Sequence, residues 1–284
     1  MNQSMFIVWR ESVEALLVIG ILQAWVSQQG RGNGLVRYLW TGVVLGLLLS
    51  GLLAVLILFA GQAMSGAASE WFQAALALVA SLLMVQMVGW MHRHGRTLKH
   101  DLHRHADGHL ARRGGLGLLL LAMLAVSREG SETVVFLYGA GLRLQGQQLG
   151  LFAVGSALGL VLAVLTIVAL HGSRRFISWQ RFFGISEVIL LMLGAALLVS
   201  GIERINGQLL ALDMPEWVYS LAGEALWDSS DLLSDSHGLG HFLAGVVGYR
   251  ATPSGIILVA GIGYWLAVSR WLRPQAAGNL PCAN

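Results

Sequence analysis

Two short stretches of this sequence combine one arginine with two glutamates. Residues 10–14 read Arg-Glu-Ser-Val-Glu, and residues 128–132 read Arg-Glu-Gly-Ser-Glu. On a helix, glutamates three residues apart lie on one face, about 4.5 Å apart along the axis. Each arginine precedes the second glutamate of its stretch by four residues, so the spacing predicts that the two side chains pair on that face.

The chemistry of these side chains is that of a site for a hard cation. Together the two stretches have four acids and two bases, which leaves a formal charge of −2. Carboxylate oxygens suit hard cations, and no Cys or Met lies beside them in the sequence, which argues against a Cu(I) pathway. The candidate metal ligands are Glu11, Glu14, Glu129 and Glu132, with Arg10 and Arg128 as their motif partners.

The elements that must position these residues are predicted to be membrane helices. Of 284 residues, 56% are hydrophobic and only 12% are charged, whereas a soluble domain is about 25% charged. A bilayer span needs about 20 apolar residues. Seven stretches meet this length, and the sequence therefore predicts an all-α integral membrane protein with seven transmembrane helices, at about 5–26, 36–60, 70–91, 115–138, 149–170, 181–203 and 254–272.

The order of the motifs indicates an internal repeat. Predicted spans one and four carry the Arg–Glu stretches, and spans two and five carry Gly-x-x-x-Gly at 42–46 and 155–159. Spans one to three (about 5–91) and four to six (about 115–203) are thus predicted to be copies. Because three is odd, the copies enter the membrane from opposite sides, as in many transporters. We interpret the glycines as sites of close helix packing. An outer loop, 204–253, and a last span, 254–272, complete a single transmembrane domain, 1–284.

The basic residues indicate the orientation. Thirteen Lys and Arg follow the odd-numbered spans, and three follow the even-numbered ones. Positive loops stay in the cytoplasm, so a cytoplasmic-membrane location is expected, with the N-terminus outside and the C-terminus inside. This distribution explains the sequence pI of about 9.4 without a nucleic-acid partner.

Three other interpretations of the motifs stay open. The Arg–Glu pairs could be internal salt bridges that hold helices together, although ionised side chains in a bilayer are costly and usually mark a pathway. The carboxylates could carry another divalent cation, such as lead or manganese. A membrane di-iron carboxylate enzyme would need Glu-x-x-His pairs in the bundle, and the predicted spans have none.

The two motifs, in the first and fourth of seven spans, resemble the mark of the oxidase-dependent iron permeases, which include the fungal high-affinity iron permease and the bacterial EfeU-type permeases. The stretch Leu-Trp-Asp-Ser-Ser at 226–230 is similar as well. The resemblance covers the whole chain. It implies a permease rather than an enzyme, with iron as transported substrate and no permanently bound cofactor. It also implies that the four glutamates take part in iron translocation, and that an extracytoplasmic iron oxidase or iron-delivery protein is the partner.

Two loops hold further candidates. Four acids recur at helical spacing in the outer loop: Glu224, Asp228, Asp231 and Asp235. This spacing predicts one acidic face of a helix. Such a face would gather cations at the mouth of the pathway. A solvated surface face is the alternative. The loop 92–109 contains six histidines among Arg and Lys. The spacing of these histidines matches no closed metal site, which favours a solvated basic loop over a segment that accepts metal.

Overall fold

The computed structural model describes residues 2–28, 32–94, 115–141, 147–172, 179–212, 222–223, 225–235 and 238–272. Eight helices lie within these ranges: α1 Asn2–Gln28, α2 Gly32–Ala63, α3 Ala67–His94, α4 Gly115–Gly141, α5 Gln147–Gly172, α6 Trp179–Leu210, α7 Gly238–Val247 and α8 Gly255–Trp271. The part of the chain that is described has no strand beyond one isolated bridge. The predicted all-α class is therefore correct for these residues.

The helices follow the apolar stretches of the sequence. Each of the first six predicted spans lies within one helix, α1 to α6, and the last coincides with α8 to within one residue at each end. Four helices, α2, α3, α5 and α6, are long and apolar enough to cross a membrane by length and composition. The helix α8 has 17 residues, and α1 and α4 carry the charged motifs. This is the all-helical architecture of a multi-pass membrane protein.

The outward faces of α2 and α5 are apolar. Leu48 and Phe59 of α2, and Leu165 and Val168 of α5, are each more than half exposed. Contiguous apolar surface of this kind is rare on a water-soluble monomer. These faces are suited to contact with lipid, whereas four motif residues are buried in the bundle: Arg10, Glu11, Glu129 and Glu132.

Glycines let α2 approach the backbone of α4. A methyl group at Gly46 would stand 2.9 Å from the carbonyl oxygen of Met123, which is closer than carbon and oxygen can approach without a shift. A methyl group at Gly42 would meet the carbonyl oxygen of Leu119 in the same way. The interpretation of these glycines as packing residues is confirmed, and the contacts show that the two helices run parallel.

The helices α1 and α5 form a second parallel pair. A methyl group at Gly159 would meet the carbonyl oxygen of Met5 and would stand 3.0 Å from the amide nitrogen of Trp9. The Trp9 indole N–H donates to the hydroxyl of Thr166 at 3.0 Å. In both pairs, a small residue brings two helix backbones together.

The helix α3 packs against α6 in the opposite direction. Near one end of the pair, Arg204 of α6 forms an ion pair with Glu70 of α3 at 2.6 Å. Further along, the position of Gly194 faces Met84, and both helices contribute to the main apolar cluster. The helix α8 lies against α6, where the Tyr264 hydroxyl donates to the carbonyl of Leu191 at 2.8 Å. This half of the bundle supplies a wall against which the motif helices pack.

The predicted outer loop has more structure than expected. The helix α6 continues to Leu210, seven residues beyond the predicted end of span six, and the short helix α7 lies within the loop. Residues 225–235 are not helical: Ala225 bridges to Ser254, and the Ser229 amide donates to the Ala251 carbonyl at 3.0 Å. The predicted helical acidic face is therefore wrong for this segment, because its backbone pairs with the strand-like residues before α8.

Candidate metal site

The α1 motif lies in the interior of the bundle. Arg10 is 0% exposed and Glu11 is 1% exposed. The Nη1 atom of Arg10 lies 2.7 Å from Oε1 of Glu11, and its Nη2 atom lies 2.6 Å from Oε1 of Glu14. The predicted pairing of residues four apart is confirmed. One guanidinium thus faces both glutamates of its own motif.

Two methionines from α3 complete the surroundings of this guanidinium. The Nη1 atom of Arg10 donates to Sδ of Met87 at 2.8 Å, and Nη2 donates to Sδ of Met91 at 2.9 Å. Both methionines are buried. The inference that the site has no thioether beside it is therefore wrong. Met87 and Met91 lie 77 and 81 residues after Arg10 in the chain, so they are neighbours of the site in space but not in sequence.

The α4 motif repeats the pairing in a more open setting. The Nε atom of Arg128 lies 3.1 Å from Oε1 of Glu132, again four residues on. The Arg128 side chain is 45% exposed, and its guanidinium carbon stands 5.1 Å from the ring centroid of Trp90. A cation over an indole ring at this distance is attracted by the ring's negative face. Arg128 is thus held between one carboxylate and one aromatic ring.

The carboxylates of the two motifs converge. Glu11, Glu14 and Glu129 each offer an oxygen, and these atoms all lie within 4.8 Å of one another, in a group that could hold a metal ion. Glu132 is buried beside them on α4, but it is not a member of this three-residue group. Two helices from the two predicted repeats therefore bring their acids to one place.

Each of these four carboxylates has a buried oxygen that accepts no hydrogen bond from the described residues. The atoms are Oε2 of Glu11, Oε1 of Glu14, Oε2 of Glu129 and Oε2 of Glu132. The Glu14 oxygen lies 2.6 Å from Arg10, but the contact lacks hydrogen-bond geometry. A buried charged oxygen without a partner is costly. A bound cation would offset that cost, which makes this group a candidate metal site.

A cavity of about 340 Å³ adjoins the site. Glu132 and Arg128 form part of its wall, with Gln86 and Met87 of α3. Two tryptophans, Trp90 and Trp271, also line it. Open space therefore lies directly beside Glu132.

The loop candidates are described only in part. Asp228, Asp231 and Asp235 lie on the non-helical 225–235 segment, whereas Glu224 lies outside the described residues. The Asp228 carboxylate accepts hydrogen bonds from the hydroxyl and the amide of Ser230, which hold the pKa of Asp228 below its ordinary value. The carboxylate thus stays ionised at lower pH than a free one.

Residues 95–114, which contain most of the histidine-rich loop, lie outside the described residues.

Four residues of the site were missed from the sequence: Gln86, Met87, Trp90 and Met91. A signal for them existed, because Met84, Met87 and Met91 recur at spacings of three and four and so share one face of α3. Helical periodicity alone does not reveal which helix such a face meets.

Comparison with known proteins identifies the family. The chain matches the iron permease FTR1 family over residues 1–273. It belongs to that family. It is therefore a permease and not an enzyme, as its sequence predicts. Membership of this family, together with the long apolar helices, identifies the chain as a multi-pass membrane protein.

The iron permease also resembles individual proteins along most of its length. It is 29% identical over 251 residues to the ferrous iron permease EfeU of Yersinia pestis, covering 87% of this chain and 84% of that protein. It is 26% identical over 280 residues to the ferrous iron permease EfeU of Escherichia coli O6:H1, covering 96% of this chain and 95% of that protein. No solved structure matches the chain.

Proposed function

We propose that this permease carries iron across the cytoplasmic membrane into the cell through the carboxylates of Glu11, Glu14, Glu129 and Glu132. The observation that carries the proposal is the convergence of three carboxylates, Glu11, Glu14 and Glu129, from α1 and α4. Glu132 is buried beside them, and each of the four glutamates has a buried oxygen that accepts no hydrogen bond from the described residues. Ferrous iron is the substrate we favour, because the relatives named above are ferrous iron permeases.

The membrane architecture we propose has seven spans, α1 to α6 and α8, with an inverted repeat of α1–α3 and α4–α6. Its support is a pair of equivalent contacts. Gly46 of α2 faces the Met123 carbonyl and the Ser127 amide, and Gly159 of α5 faces the Met5 carbonyl and the Trp9 amide. Met5 and Trp9 precede the first motif by the same distances at which Met123 and Ser127 precede the second. The positive loops favour an N-terminus outside and a C-terminus in the cytoplasm.

The two arginines are proposed to hold the carboxylates when no cation is bound. With Arg10 and Arg128 in contact with their own glutamates, two of the four negative charges at the site are compensated and a formal charge of −2 remains for the cation. An arriving cation takes over this compensation and lets each guanidinium withdraw. Such an exchange keeps the charge of the interior low at every step, which matters where water is scarce.

Two elements outside the bundle belong to the same proposal. The acids of the 225–235 segment gather cations near the entrance, since clustered carboxylates raise the local cation concentration. An extracytoplasmic iron-delivery protein supplies Fe²⁺ to the site; an iron oxidase, which converts Fe²⁺ to Fe³⁺, is the partner instead if the cargo is ferric iron. This second element rests on the family resemblance of the motifs.

Iron uptake in transporter-deficient cells tests the site. Cells that express the parent chain, Glu14→Gln or Glu132→Gln at matched levels are given radioactive iron, and we expect uptake by the parent and its loss in both variants. Glu70→Gln is the matched control, because Glu70 is a carboxylate that pairs with Arg204 away from the motifs. Robust uptake by both motif variants would reduce the motifs to structural salt bridges. If the parent itself shows no uptake, the assay is repeated with a coexpressed oxidase partner and then with other metals.

A further inference from the structure

The Arg10 guanidinium has the surroundings of a bound cation. Its two terminal nitrogens contact two carboxylate oxygens at 2.7 and 2.6 Å and two thioether sulfurs at 2.8 and 2.9 Å. The residues that supply these atoms are Glu11, Glu14, Met87 and Met91. A tethered positive charge therefore occupies a position enclosed by two oxygens and two sulfurs.

The sulfurs change which metals such a position would favour. Carboxylates favour hard ions, whereas thioethers favour soft ions such as Cu(I) and, by the same softness, Ag(I). Ferrous iron lies between these classes, while Mg²⁺ and Mn²⁺ suit oxygen ligands. A mixed set of carboxylates and thioethers therefore discriminates against hard ions more strongly than carboxylates alone.

We propose that Met87 and Met91 are metal ligands of the translocation site, which bind the cation together with Glu11 and Glu14 once Arg10 withdraws. This inference rests on the proposed function of the same site. It makes the site selective for ferrous iron over manganese and magnesium, and it makes the permease sensitive to Ag⁺, which binds thioethers tightly.

Packing alone does not account for the placement of these two sulfurs. Met84, one turn earlier on α3, is fully buried in the apolar cluster with Ile7 and Phe136, as a methionine that fills space is expected to be. Met87 instead contacts Arg10 and also lines the cavity beside Glu132. The Met87 side chain thus reaches both Arg10 and the wall of the cavity.

The test measures metal selectivity rather than stability. Iron uptake is assayed in a Cys282→Ser background, which removes the single thiol of the chain, with Ag⁺ added at increasing concentration. Replacement of both Met87 and Met91 by Leu keeps volume and apolarity nearly unchanged. We expect the Ag⁺ concentration for half-inhibition to rise about tenfold or more, as loss of a soft ligand implies, and the preference for Fe²⁺ over Mn²⁺ to fall. Met84→Leu is the matched control and should keep the sensitivity of the parent.

A double variant that transports iron with unchanged Ag⁺ sensitivity and unchanged Fe²⁺ preference would overturn the thioether proposal and leave the carboxylate site intact. Loss of the carboxylate site is recognised separately, by continued uptake in Glu14→Gln and Glu132→Gln. If the double variant does not accumulate, silver X-ray absorption on purified Cys282→Ser protein at one equivalent of Ag⁺ decides. Sulfur neighbours that diminish in each single methionine variant, but not in Met84→Leu, support the proposal, and oxygen or nitrogen neighbours alone contradict it.

Discussion

Arg10 and Arg128 hold the same place in two copies of one motif but lie in opposite environments. Arg10 is fully buried among two carboxylates and two thioethers, whereas the Arg128 side chain is 45% exposed, faces a cavity and stacks on Trp90. The two halves of the site are thus chemically unequal. Arg10 belongs to its structural interior, and Arg128 belongs to its accessible side.

The two arginines should therefore respond differently to replacement by glutamine. Arg10→Gln leaves two buried carboxylates without their cation, which costs on the order of 3 kcal/mol or more, so we expect a clear drop in melting temperature and no transport. Arg128→Gln should melt close to the parent, because its charge is partly exposed, yet transport poorly. Thermal melts of purified protein, together with iron uptake, distinguish these outcomes. Full transport by either variant would remove the support for the exchange mechanism.

The ring of Trp90 is predicted to hold Arg128 beside the cavity. A cation–π contact is worth about 0.5–1 kcal/mol where water has access, so Trp90→Leu should lower iron uptake by roughly two- to fivefold. Trp71→Leu is the matched control, since Trp71 is an exposed tryptophan of the same helix away from the motifs. Equal uptake by the two variants would mean that the ring has no part in transport.

Local periodicity accounts for what the sequence predicted correctly. The helices follow runs of apolar residues, and the pairing of each arginine with the glutamate four residues on follows from helix geometry. The close approach at Gly42, Gly46 and Gly159 follows from the absence of a side chain. The signal for each of these features, a run of apolar residues or a spacing of four, lies within one short stretch of the chain.

Individual side-chain neighbours that come from another helix escaped prediction. Met87 and Met91 reach Arg10 from another helix, and Trp90 reaches Arg128 in the same way. The spacing of the acids near 228 suggested a helix, but pairing of Ser229 with Ala251 overrides that local preference. The sequence contains these contacts only through the packing of whole helices, which no single window reveals.

The exposed acids of the 225–235 segment are predicted to matter only when iron is scarce. Replacement of Asp228 and Asp231 by Asn removes two negative charges, so uptake at limiting iron should fall roughly twofold or more through weaker cation attraction. Uptake at saturating iron should not change, which serves as the internal control. Because Ser230 keeps the pKa of Asp228 low, the effect should persist as the pH falls toward the ordinary carboxylate range. Unchanged uptake at limiting iron would contradict a role in capture.

The equivalent glycine contacts predict matched effects in the two proposed repeats. A methyl group at Gly46 or Gly159 would meet a carbonyl oxygen of the neighbouring helix, so Gly46→Ala and Gly159→Ala should each destabilise the purified protein by about 1–3 kcal/mol, as overpacking does. Gly51 on α2 and Gly150 on α5 have nothing within 4 Å of the added methyl, so alanine there should leave the melting temperature unchanged or slightly higher. Parallel losses at Gly46 and Gly159, with neither control affected, are what an inverted repeat requires. A loss at only one of the two would indicate that the halves pack by different rules, and the repeat would then describe the sequence but not the energetics of the fold.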